Sequence, residues 1–512
     1  MEAATLGRGR PTAYAQSIRE AARARSRAFW IVAGLTALAA LLRFATLGVQ
    51  SYHHDEAITA GRVLGSDFLR AMDVVGFSES APPLYYALAW LWTQATGTGE
   101  FGLRSLSALA GVATVPVAYL IALELRGRRA GLMAAALVAV SPLMLWYSQE
   151  ARAYALVVLL CGISLLYCVR AYRHGRPRDL TGWGIASALA LATHYFAVFP
   201  ILAEVVLLVR RRGRASLGGL WIIGLAGLLL APLALHQMSH GHAEWISLSG
   251  LGHRIWETAS AFVVGETADL IARPERPELA IVPLFLCLCA FLLLLARGER
   301  EDRRAAIVPS SVALATVGIP LLLAVVPGGK DFVLARNLIP AVLPLLVVVA
   351  IAVTMPTARR LGAVVGASLL VYSFGFSVWA SFSPDLHRPD WSAVATEMGE
   401  PDAPRATVTW TIGQAPLRDY LESGAIEVTP SEGYDWLIRE LNFVSYGEVP
   451  PPSRAMLGPG FRETGREQVG QLFIRRYRLP GPGLVPLRLR RVDSVDLNFR
   501  TNGVLLDGVG FD

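Results

Sequence analysis

An all-α polytopic membrane protein that ends in a small α/β domain is the fold class this sequence predicts. Three observations carry it. Of the 512 residues, 54% are hydrophobic and only 17% are charged, far from a soluble globular average. Apolar windows of roughly 20 residues, the length that crosses a bilayer, recur along the chain. Arginine clusters separate these windows, and the composition turns polar after residue 381.

The arginines also orient the spans, because basic loops stay on the cytoplasmic side. Arg8 to Arg27, Arg126 to Arg129, Arg170 to Arg178, Arg210 to Arg214, Arg297 to Arg304 and Arg359-Arg360 mark that side. Eleven spans satisfy every cluster: 29–49, 103–125, 130–148, 153–172, 181–193, 195–209, 216–236, 279–297, 305–327, 338–355 and 359–381. A twelfth at Leu84–Thr96 would put Arg126 to Arg129 on the wrong side. That stretch is short, rich in Trp and Tyr, and begins after Pro82-Pro83. These traits suit a juxtamembrane helix lying along the interface.

The chain divides into a cytoplasmic segment 1–28, a membrane domain 29–381 with a long first loop 50–102, and an extracytoplasmic domain 382–512. The alternation in Gln471 to Leu479 reads as a strand of that last domain. The first apolar run lacks a small-residue cleavage site and reads as a retained span. Cys161, Cys168, Cys287 and Cys289 all lie in apolar runs, so no disulfide framework is indicated. The net charge of +7 comes from the orienting clusters and does not point to nucleic acid. One lysine against many arginines suggests a GC-rich bacterial genome, hence a bacterial plasma membrane.

The residues that carry chemistry gather on the outer side. His53-His54-Asp55-Glu56 opens the first loop. Two adjacent carboxylates beside a bilayer are costly to desolvate, and an apolar wall tunes such groups toward general-base work. The bland alternative is an acidic pair that merely ends a helix. Glu79 closes the same loop, either in the site or complementing the dipole of the helix after it. Glu150 and Arg152 stand in a polar island, Ser148 to Arg152, as site residues or as a local ion pair. His194-Tyr195 interrupts another apolar stretch, as substrate contacts or as an aromatic anchor. Lys330, the only lysine, and Arg336 are cations on the side where orientation asks for none. They suit a lipid phosphate, since charge-assisted hydrogen bonds hold phosphate strongly; for Lys330 the alternative is an ion pair with Asp331. His54, Asp55 and Glu79 are candidate ligands for a divalent cation such as Mg²⁺ or Mn²⁺. Zinc spacing is absent and metal use stays open. No glycine-rich phosphate loop supports a nucleotide.

These motifs resemble a known superfamily. The acidic pair, Glu79-x-x-Pro-Pro-Leu-Tyr-Tyr86 and Trp146-Tyr-Ser-Gln-Glu150-Ala-Arg152-x-Tyr154 are similar to those of polytopic GT-C glycosyltransferases. Among these, it is similar to bacterial proteins resembling dolichyl-phosphate-mannose protein mannosyltransferase and lipid A aminoarabinose transferase. The resemblance spans about residues 29–360 and is strongest over 50–155.

It implies a polyprenyl-phosphate-linked sugar donor, no nucleotide, and an active site on the outer face. The first-loop acid of the family matches Asp55, with Glu56 beside it, and the two further acids match Glu79 and Glu150. Ser80 stands where aminoarabinose transferases carry a lysine, so phosphate binding is expected to fall to Arg152, Lys330 and Arg336. The expected reaction is inverting transfer of mannose or a pentose such as arabinose to a lipid, glycan or protein acceptor, with Asp55 as base. A transporter or lipid flippase is the alternative; such proteins tend to carry midplane charges and repeated halves, which this sequence does not show.

Overall fold

The computed structural model describes residues 13–239, 246, 249–267, 276–327, 330–421, 424–428, 436–452, 457, 460–487 and 502–508. Residues 1–12, parts of the 237–278 loop and parts of the C-terminal domain lie outside these residues.

The membrane part is a helical bundle. Its helices, in chain order, are α1 (Ala13–Phe44), α2 (His54–Ala57), α3 (Phe68–Ser78), α4 (Leu84–Thr96), α5 (Glu100–Arg126), α6 (Arg128–Val140) and α7 (Pro142–Ser148). Next come α8 (Tyr154–His174), α9 (Pro177–Thr193), α10 (Val198–Arg212), α11 (Leu217–Met238) and α12 (Leu251–Val264). The rest are α13 (Glu278–Arg297), α14 (Arg300–Val325), α15 (Ala335–Leu338), α16 (Val342–Val353) and α17 (Arg359–Phe382). Among the described residues, eight helical stretches are long and apolar enough to cross a membrane, or nine if the bent pair α6–α7 is one span.

One of the eight runs from Tyr195 to Met238, 44 residues. As a single straight helix it would extend about 66 Å, twice a hydrocarbon core. It is a hairpin. The chain turns at Gly213, whose φ of +53° a side chain would resist. The Tyr195 hydroxyl then meets Gln237 Oε1 at 2.8 Å, so the two ends lie together. Counting α10 and α11 apart, and adding the bent pair and the 17-residue α9, each of the eleven sequence windows holds a helix.

One boundary and one helix differ from the sequence reading. The first span ends at Phe44, not at residue 49. Beyond it the chain unwinds, and Arg104 of α5 takes up the carbonyls of Leu47, Gln50 and Ser51. The juxtamembrane helix is α4, Leu84–Thr96 as expected, but α3 precedes it and went unforeseen.

The bend between α6 and α7 is 55° and follows from Ser141-Pro142. Proline has no N–H to give the ladder and Ser141 starts a new helix by accepting from Met144 N. The orphaned carbonyls find partners. Arg43, fully buried in α1, donates to Val138 O, Ala139 O and Ser148 Oγ at 3.3, 3.1 and 3.0 Å. Ser377 of α17 donates to Val140 O. Intramembrane cations persist only when paired this way. Gly111 of α5 leaves the room, since a Cβ there would stand 2.0 Å from Ser148 Oγ and 2.9 Å from Arg43 Nε.

After α17 the chain forms α18 (Trp391–Met398), α19 (Thr411–Tyr420) and a mixed sheet. Its strands are β1 (Arg405–Trp410), β2 (Ile426–Val428), β4 (Glu440–Tyr446), β5 (Arg462–Val469), β6 (Leu472–Arg478) and β8 (Asn502–Asp507), ordered β2-β8-β1-β4-β6-β5. Among the described residues, only β1 and β4 pair in parallel. A second ribbon pairs β3 (Trp436–Ile438) with β7 (Val485–Leu487). Arg405 and Asp507 face each other across β1 and β8 in a buried ion pair at 2.5 Å. Helix α19 rests on α2, and this places the sheet domain against the first loop.

Candidate active site

The first loop is built around Glu56. Its helix α2 is only four residues long, capped by His53, whose N–H donates to Glu56 Oε2 at 3.1 Å. So short a helix cannot hold itself. Tertiary bonds to Glu56 hold it instead. Arg104 Nε and Nη2 reach Oε1 and Oε2, both at 2.8 Å. Ala151 N donates to Oε1 at 2.8 Å and Arg388 Nη1 to Oε2 at 2.7 Å. Glu56 is completely buried. Burial alone would raise its pKa, but the two guanidiniums outweigh that and bring it down to about 2. Every lone pair is engaged, so Glu56 organises the loops and does not face a substrate.

Asp55, one residue earlier, points the other way. Its Oδ2 lies 3.2 Å from Arg336 Nη1, and a quarter of its side chain stays accessible. Burial pushes its pKa up, yet Arg152 and Arg336 outweigh it and hold Asp55 below the usual carboxylate range. It is the carboxylate in this group with accessible surface and a cation as close neighbour. After α2 the chain winds into a π-helical turn, Ile58–Val63, of the kind found near functional sites.

Glu79 and Glu150 are both buried, and each has an arginine. Glu79 Oε2 accepts from Arg152 Nη1 at 2.9 Å and from the Tyr86 hydroxyl at 2.6 Å. Arg152 also reaches Thr59 Oγ1 at 3.2 Å. Glu150 accepts from Arg388 Nη2 at 2.7 Å. The local Glu150–Arg152 pair therefore does not form; each turns to a partner elsewhere in the chain. Glu150 titrates at about 7, raised first by burial, with Arg388 opposing and Glu56, Asp55 and Glu266 adding to the rise.

A pH prediction follows from that shift. A carboxyl raised above its unfolded value binds its proton more tightly when folded. Its contribution to stability is full below the unfolded pKa, near 4.5, and is lost as pH rises through about 7. Melting temperature should fall across that window by an amount worth a few kcal/mol. Glu150→Gln should flatten this slope, and an unchanged slope in the variant would refute it. Asp55 and Glu56, lowered, act oppositely and below about pH 4.5.

The remaining candidates are placed less uniformly. His194 is buried beside Tyr154, with ring centroids 5.8 Å apart, and its Nδ1 accepts from Phe196 N. Burial, with Arg152 and Arg336 adding, lowers its pKa to about 3, so it is neutral. Tyr195 turns away to Gln237, its phenol locking the helical hairpin. Arg336 faces Asp55, whereas Lys330 is exposed. Asp331 beside Lys330 pairs with Arg254 of α12, so the Lys330–Asp331 alternative is not what forms. His54, Asp55 and Glu79 do not gather on one point; Asp55 is taken by Arg336 and Glu79 by Arg152 and Tyr86. Among the described residues no three His, Cys, Asp or Glu side chains converge as a metal site.

Three residues escaped the sequence reading. Arg104 and Arg43 lay inside apolar windows, where a lone arginine was its own signal. Arg388, in the polar stretch after the last span, carried no local sign at all.

A sequence model of the family described as dolichyl-phosphate-mannose-protein mannosyltransferase matches residues 80–236. No curated protein matches the chain. The chain is similar to the crystal structure of ArnT from Cupriavidus metallidurans in the apo state, at 13% identity and a TM-score of 0.59, covering 88% of this chain and 98% of that one. The same protein bound to undecaprenyl phosphate matches at 14% identity and 0.55, covering 87% and 97%. At such identity the likeness shows the fold alone, and the chain shares the architecture of that protein over most of its length.

Proposed function

We propose that this protein transfers a sugar from a polyprenyl-phosphate donor to an extracytoplasmic acceptor, with inversion. The observation that carries the reading is the Asp55–Arg336 pair, a part-accessible carboxylate against a cation, with Arg152 acting on the same carboxylate. It is supported by the likeness to ArnT, a structure of which holds undecaprenyl phosphate.

Asp55 takes the proton of an acceptor hydroxyl as that oxygen attacks the anomeric carbon. The new glycosidic bond forms while the bond from that carbon to phosphate oxygen breaks, and polyprenyl phosphate leaves with the electron pair. The leaving group needs cations, not an acid. Arg336, Arg152 and Lys330 supply them. The donor phosphate shares the charge of Arg336 and Arg152, which relieves Asp55 of the groups that depress it and strengthens it as a base where one is needed. Glu150 and Glu79 hold acceptor or sugar hydroxyls, and His194 contributes to the wall. Mannose and a pentose such as arabinose are the sugars to try first. The arginine clusters support a cytoplasmic N-terminus and a sheet domain on the outer side, and the arginine-rich composition supports a bacterial plasma membrane.

Purified protein in nanodiscs, given a series of radiolabelled polyprenyl-phosphate sugars, should release labelled sugar to acceptor or water. The same assay with EDTA, Mg²⁺ or Mn²⁺ reads metal dependence. Failure of every donor would leave transport as the better account.

A further inference from the structure

Among the described residues, no side chain of the membrane part forms an ion pair with Glu150. The cation that does so comes from beyond the last span. Arg388 is nearly buried, and its guanidinium lies 2.7 Å from Glu56 through Nη1 and 2.7 Å from Glu150 through Nη2. It stacks over Trp146 at 4.6 Å from the ring centroid. Glu56 belongs to the first loop and Glu150 to the second, so one side chain ties both. The chain about Arg388 is itself sewn to the first loop. Arg388 N donates to Gln50 Oε1 at 3.1 Å, Ser51 Oγ donates to Pro389 O at 3.0 Å, and Trp391 N donates to Ser51 Oγ at 3.0 Å.

We infer that Arg388 is a positioning residue of the transfer reaction, by which the C-terminal domain completes the site: its forked guanidinium fixes Glu150 relative to the Asp55 loop. This rests on the glycosyltransferase reading above. Two buried carboxylates from separate loops repel each other unless a cation stands between them. Glu56 keeps Arg104 in any case, but Glu150 has Arg388 as its charge partner. A planar fork delivers one nitrogen to each acid in a set direction, which the point charge of a lysine does not. The stack on Trp146 and the tethers at 388–391 leave the fork one orientation. The turn that Glu150 starts is bonded to the same assembly, through Ala151 N on Glu56 Oε1. The domain therefore acts on transfer without touching the reacting atoms, and removing its arginine frees the second loop.

The test compares wild type, Arg388→Gln and Arg388→Lys in nanodiscs. Three readouts are donor turnover, affinity for sugar-free polyprenyl phosphate, and amide exchange at Ala151 to Ala153. Turnover in Arg388→Gln is expected to fall about 100-fold, the scale on which small misplacements cost rate, with Lys recovering about a tenth of the wild-type rate. Polyprenyl-phosphate affinity should stay within about threefold, because Arg152 and Arg336 are untouched, and exchange at Ala151 should quicken. Gln turnover within threefold of wild type overturns the inference, as does loss of turnover and lipid binding together, which marks general collapse. Should the Gln variant not fold, Arg388→Lys decides: wild-type turnover there refutes the need for a fork. If wild type turns over no donor at all, the glycosyltransferase reading has failed. Exchange then decides separately, since unchanged protection at Ala151 in the variant refutes the clamp and faster exchange upholds it.

Discussion

Asp55→Asn is expected to lower sugar transfer about a thousandfold while leaving the protein folded, in line with what a positioned general base contributes. The substitution keeps the shape of the side chain and removes its ability to take a proton. Folding should survive because the Asp55–Arg336 pair is partly open to solvent on both sides. Pairs of that kind add little to stability. Arg336 would keep its place and could still receive a phosphate. The result to look for is turnover lost with polyprenyl-phosphate binding kept. Binding and turnover lost together would instead make Asp55 a part of the donor site, and full turnover would end its assignment as base. Because Asp55 is held ionised below the usual carboxylate range, its own titration should not limit the rate near neutral pH.

Glu56→Gln should do the opposite, with its main effect on stability. Glu56 is fully enclosed and faces the guanidiniums of Arg104 and Arg388 at 2.8 and 2.7 Å. An amide has no charge to offset them. Breaking a buried pair from one side costs about 3–5 kcal/mol, since the partner charges stay behind. For a chain of 512 residues that is a drop of about 3–5 °C in melting temperature, read by unfolding in detergent. The neighbouring Asp55→Asn should shift it by a smaller amount, since a quarter of that side chain stays in water. Equal melting temperatures for the two variants would contradict the division between an organising Glu56 and a reacting Asp55. The two adjacent acids differ in surroundings because successive positions on α2 point in different directions, one enclosed and one with a quarter of its side chain accessible.

The sequence made the membrane architecture legible to a considerable depth. Apolar windows and arginine clusters located the helices, since the cost of desolvating a backbone or a charge in hydrocarbon is large and local in sequence. Leu84–Thr96 was separable from the spans for the same reason. It also pointed to the loop ends that carry Asp55, Glu56, Glu79, Glu150, Arg152 and Arg336, because acids and bases interrupting apolar runs stand out.

What a linear reading could not assign is who pairs with whom. Glu150 and Arg152 look like partners two residues apart, yet their bonds go to Arg388 and Glu79. Lys330 and Asp331 are adjacent, yet Asp331 joins Arg254. A side chain's direction is set by the turn it stands on, and a guanidinium reaches several ångströms from its Cα. Arg388 marks the limit most clearly. It lies 332 residues from Glu56 and 238 from Glu150, in a stretch whose composition is that of an ordinary polar surface. Hydrophobicity is a property of each residue and is summed along the chain, so the sequence by itself determined a bundle in the membrane and a polar domain after it. Charge pairing in a buried site depends on distances between segments, and only the tertiary structure decided which carboxylate was enclosed by arginines and which was left partly accessible.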